Sequence, residues 1–72
     1  MRWTSDRLDQ LELAARHGRR VVLVRRGTEY VVVARKVGSV GGRDVLTALL
    51  PMTGEEVVFR LDDIESLHVL ES

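Results

Sequence analysis

Val21-Val22-Leu23-Val24-Arg25-Arg26-Gly27-Thr28-Glu29-Tyr30-Val31-Val32-Val33 is the stretch on which the fold turns. Its two ends are β-branched runs of strand length, because branched side chains pack well on a pleated surface and lose rotamer freedom in a helix. Its middle, Arg26-Gly27-Thr28-Glu29, carries the glycine that a tight reversal needs, so the whole reads as a β-hairpin.

Upstream the periodicity changes. Residues from Ser5 to His17 read as a helix, with Ser5 as N-cap, Asp6 and Asp9 toward the positive end of the dipole, and Arg16 near the negative end. Leu8, Leu11 and Ala15 fall at i, i+3 and i+7 and form one apolar face, and Gly18 supplies the stop. Downstream, Gly38-Ser39-Val40-Gly41-Gly42-Arg43 reads as a second, looser connection, followed by a strand from Asp44 to Leu50. Pro51-Met52-Thr53-Gly54 is a turn. From Glu55 to Leu61 the alternation is clear, with Val57, Phe59 and Leu61 on one face and Glu56, Val58 and Arg60 on the other. A short turn at Asp62-Asp63 leads to a last strand near Ser66 to Leu70. One helix and five short strands make a mainly β chain: a strongly bent antiparallel barrel from about residue 19 to 71, capped by the helix.

Seventy-two residues hold a single domain spanning 1–72, with no room for a two-lobed cleft. The absence of cysteine excludes disulfides, thiolate metal sites and cysteine nucleophiles. The N-terminus turns polar at once and no apolar run approaches the roughly 20 residues that span a bilayer, so a soluble, cytoplasmic protein with no membrane partner is expected. Eleven basic and eleven acidic residues cancel, which argues against a general polyanion binder. The cancellation is uneven: Arg16 to Lys36 holds seven basic residues against Glu29, and Asp44 to Ser72 holds seven acidic residues against Arg60. Either the strands of opposite charge lie side by side and stabilise pairing, or separate basic and acidic faces each meet a partner.

Little in the chain points to catalysis. His17 and His68 lack the spacing of a metal pair, and a helix end and a strand surface account for them. Asp62, Asp63 and Glu65 read as solvated turn residues, and none of Ser5, Ser39 and Ser66 sits in a nucleophile elbow. No cofactor is expected. Gly38-Ser39-Val40-Gly41 fits a Gly-x-x-Gly backbone clamp, but its flanks are strands rather than helices. Arg19, Arg20, Arg25 and Arg26 are candidates for binding RNA phosphates, with only Trp3, Tyr30 and Phe59 as stacking partners. Asp6, Asp9 and Glu12 recur every three residues and form an acidic stripe beside the apolar one; solvation and the helix dipole account for it, as does a partner-binding role.

Leu8-Asp9-Gln10-Leu11-Glu12-Leu13-Ala14-Ala15-Arg16-His17, with the strand and Gly27 turn that follow, resembles the opening of the Rof family, small inhibitors of Rho-dependent transcription termination. Arg60-Leu61-Asp62-Asp63-Ile64-Glu65-Ser66 is similar to that family's closing segment. The resemblance implies a helix packed on a five-stranded Sm-like, or SH3-like, barrel. It also implies a non-enzymatic protein that binds transcription termination factor Rho and obstructs RNA capture. Carried over by position, Asp9 and Glu12 would make the contact, with Asp6 as a further candidate.

The segment from Phe59 to Leu70 also resembles the end of the WYL domain, an Sm-like ligand- or nucleic-acid-sensing module, although the Trp-Tyr-Leu signature is absent. A ring-forming Sm-like RNA binder is the third reading, and the oligomeric state stays open.

Overall fold

The computed structural model describes residues 1–70. The helix, α1 (Ser5–Arg16), precedes five strands: β1 (Arg20–Arg25), β2 (Thr28–Val40), β3 (Arg43–Leu49), β4 (Glu56–Arg60) and β5 (Ile64–Val69). A 3-10 turn, η1 (Leu61–Asp63), joins the last two. The mainly β reading therefore holds. Glu71, included in the expected barrel, and Ser72 lie outside the described residues.

Every ladder is antiparallel and the strand order is β4-β3-β2-β1-β5. β4 and β5 are thus the two outermost strands, four inter-strand steps apart, or about 19 Å on a flat sheet. Yet η1 links them through three residues, which in 3-10 geometry advance about 2 Å each. The sheet must curl until the end of β4 and the start of β5 come together at η1. The curl has a visible source in β2, which is 13 residues long and pairs with β1 through its first half and β3 through its second. Register slips where Ala34 pairs with Ala48 and Lys36 with Thr47, leaving Arg35 as a bulge that bends the strand. Among the described residues β4 and β5 share no ladder, so the barrel stays open along one seam.

The first two hairpins are tight. Arg25 pairs with Thr28 across Arg26 and Gly27, whose φ values of 51° and 75° are the positive pair that a two-residue type I′ turn demands. The connection expected to be loose is its twin. Gly38, Ser39 and Val40 belong to β2, paired with Val45, Asp44 and Arg43, and only Gly41-Gly42 turns. Three residues of the Gly-x-x-Gly stretch are therefore ladder, and its last, Gly41, opens a two-residue turn rather than a clamp loop.

The helix starts one residue earlier than the sequence suggests: Thr4, not Ser5, is the N-cap, its hydroxyl accepting the Arg7 N–H at 3.3 Å. At the other end His17 is the C-cap and Gly18 follows at φ 62°. The last strand begins at Ile64 rather than Ser66, because Ile64 is needed in the core.

Leu11, Ala14 and Ala15 bury the inner face of α1 against Val21, Leu23, Val32, Ala34, Leu46, Phe59, Leu61 and Ile64. Leu8 is only half-buried, while Ala14, which the three-position stripe omits, is enclosed. Alanines at 14, 15, 34 and 48 let helix and sheet approach closely. Trp3 locks the entry to the helix, its indole N–H donating to the Leu61 carbonyl at 2.8 Å. Among the described residues no helix is long and apolar enough to cross a membrane.

Candidate functional site

Asp6, Asp9 and Glu12 are all exposed on α1. A three-residue step advances about 300° around a helix, so the three carboxylates fan across roughly 120° of its outer surface rather than forming one straight row. Among the described residues none of them enters an ion pair. The opposite face is pinned in the core by Leu11 and Ala15, so the carboxylates sit on a rigid support. Arg7, next to Asp6, and Arg16, one turn beyond Glu12, are the cations of α1 itself.

The arginine quartet does not gather. Arg19 and Arg20 stand at the start of β1, and Arg25 and Arg26 at its end, some 20 Å away at strand rise. Arg25 is also committed internally: its guanidinium lies 5.3 Å from the Tyr30 ring centre and 5.0 Å from that of Phe59, and donates to the Tyr30 hydroxyl at 3.3 Å. Tyr30 and Phe59 meet edge to face at 5.3 Å. With the Trp3 indole N–H bound to Leu61, all three aromatic side chains make contacts within the fold.

The turn carboxylates are likewise dispersed. Asp62 forms an exposed ion pair with Arg43 at 3.5 Å. Glu65 is the extra residue where the β1–β5 register slips, and it accepts the Gly27 N–H at 2.9 Å, tying the first hairpin to β5. Among the described residues no three His, Asp or Glu side chains are placed to hold a metal ion. The oppositely charged halves do interleave as strands, β1 beside β5 and β2 beside β3, but Arg43–Asp62 is the ion pair formed among the described residues.

A feature invisible in the sequence lies between α1 and β5. An open groove of about 770 Å³ is lined there by Arg7, His17, Arg19 and His68, over Leu13 and Leu67. It brings together both histidines, which the sequence reading placed apart. No spacing rule signals it, since the two walls come from opposite ends of the chain.

No family model matches the chain, and no curated protein matches it either.

Proposed function

We propose that this chain is a non-enzymatic regulatory protein that presents the acidic flank of α1 to a basic, RNA-binding surface of a partner protein. The observation that carries the proposal is the state of Asp9 and Glu12: exposed, free of ion pairs among the described residues, and held on a helix whose other face is fixed in the core. Such carboxylates bind guanidinium or ammonium groups through charge-assisted hydrogen bonds with little ordering cost. The resemblance to the Rof family names the partner: Rho, in the bacterial cytoplasm, with antitermination as the outcome. Asp6 extends the same flank.

Arg19, Arg20, Arg25 and Arg26 support direct RNA binding less well, because they divide between two ends of a strand and Arg25 is engaged with two rings.

The test is calorimetric titration of Rho with the parent and with the Asp9→Lys/Glu12→Lys variant, circular dichroism confirming that the helix is retained. At about 1.5 to 3 kcal/mol for each charged hydrogen bond lost, the double reversal weakens binding by about 100-fold or more. Absence of binding by the parent, or equal binding by the variant, refutes the proposal.

A further inference from the structure

β5 is an edge strand: one side pairs with β1, and among the described residues no strand pairs with the other. Side chains of a strand alternate between faces, so a cavity above a sheet face touches every second residue. The groove beside α1 instead touches Leu67, His68 and Val69 in succession, and its continuation toward the N-terminus touches Glu65, Ser66, Leu67 and His68. Residues 65–69 of this edge strand thus form one wall of a trough.

The opposite wall is α1, which contributes Arg7, Gln10, Leu13, Ala14 and His17. From Arg7 to His17 the helix advances about 15 Å, the length of a four- or five-residue extended segment. An ion the size of phosphate would occupy a small part of it. The cations on the walls are Arg7 and Arg19, with Arg2 in the continuation, and His17 and His68 line the same trough. Glu65 is the carboxylate among the lining residues, and its Oε1 is occupied by the Gly27 N–H. The floor is apolar where Leu13 and Leu67 meet, Leu13 being 52% exposed.

We infer that this trough is a docking site for an extended acidic peptide segment of a partner protein, which adds to β5 as a sixth strand. Its backbone meets the open edge, its acidic side chains meet Arg7 and Arg19, and its apolar side chains cover Leu13 and Leu67. Edge addition supplies main-chain hydrogen bonds, while the charged wall selects the sign of the peptide. The site is separate from the Asp9 and Glu12 flank and has the opposite charge, so each is testable without the other.

The probe is a fluorescein-labelled, end-blocked heptapeptide of alternating glutamate and valine, titrated by fluorescence anisotropy in low salt against the full chain. Three comparison probes accompany it: the lysine–valine counterpart, the same acidic peptide N-methylated at alternate amides, and a short oligo-RNA. The acidic peptide is expected to bind at micromolar concentration, with amide NMR shifts concentrated at residues 65–69, Arg7 and Arg19. The lysine and N-methylated peptides are each expected to bind at least 10-fold more weakly. Arg7→Glu/Arg19→Glu, both exposed positions, is expected to weaken binding at least 10-fold while Asp9→Lys/Glu12→Lys does not. Equal binding of the N-methylated peptide overturns the inference, as does indifference to the Arg7/Arg19 reversal. So do preference for the RNA and self-association of the chain through β5 that excludes the peptide.

Discussion

The stacking of Arg25 on Phe59 offers a direct test of how far the sheet curls. These residues lie on β1 and β4, three strands apart in sheet order, or about 14 Å on a flat sheet, yet guanidinium and ring centre are 5.0 Å apart. If the curl is real, the two side chains share an interaction energy, and a double-mutant cycle reads it. Phe59→Leu conserves most of the buried volume, for about 1 kcal/mol of repacking. It also removes the edge contact with Tyr30, about 1 kcal/mol, and the cation–π contact with the half-buried Arg25, between about 0.5 and 1 kcal/mol. The single variant should lose about 2 to 3 kcal/mol. Arg25→Met keeps the apolar stem and removes the cation, along with the long hydrogen bond to Tyr30, for about 1 to 1.5 kcal/mol. Together they should lose less than the sum, by about 0.5 to 1 kcal/mol. Urea unfolding followed by Trp3 fluorescence and by circular dichroism measures all four corners. A coupling below about 0.3 kcal/mol, the scatter of independent sites, would refute the stack and the curl that makes it.

Trp3→Phe should cost about 1 kcal/mol rather than more, because the Leu61 carbonyl that loses the indole donor still accepts the Ile64 N–H; thermal unfolding monitored by circular dichroism checks this. Among the described residues Arg26 is the non-glycine residue held at positive φ, so Arg26→Asn should stabilise the domain by up to about 1 kcal/mol, and Gly27→Ala should destabilise it by about the same amount. Arg43→Ala should change stability by less than about 0.5 kcal/mol in urea melts, since the ion pair with Asp62 is 60% and 72% exposed at its two side chains.

Much of this fold is legible locally. Arg26-Gly27 between two valine runs marks a hairpin because few residue pairs tolerate two successive positive φ angles, and the alternation of Val57, Phe59 and Leu61 orients β4. The misreadings occur where composition and conformation part company. Gly38-Ser39 looks like loop, but Gly38 adopts an ordinary strand conformation opposite Val45, so its glycine is no sign of a turn. Thr4 and Ser5 are both capping residues, and the choice falls to Thr4 because the indole of Trp3 is anchored on Leu61 immediately before it. The acidic flank is readable because a helix places Asp9 and Glu12 by spacing alone. The trough is not, because Arg7 and His68 become neighbours only when β5 returns beside β1 and comes to lie near α1.

That difference bears on what a net charge of zero means for this chain. Taking α1 at 100° per residue, Asp9 lies about 100° around the axis from Gln10, and the trough face of the helix is centred close to Gln10. A helix with side chains is about 10 to 12 Å across, so Asp9 stands about one Debye length from the centre of the trough face at physiological ionic strength, with Glu12 farther round and Asp6, about 40° from Gln10, closer. At that separation Asp9 and Glu12 are partly screened from the trough, and an approaching surface responds mainly to the patch it faces. At low salt the screening length grows past the width of the molecule and the two fields cancel. Long-range steering is therefore weak at every ionic strength, while contact selectivity survives: a partner is chosen by local charge at the surface it touches, and the zero total has no part in the choice.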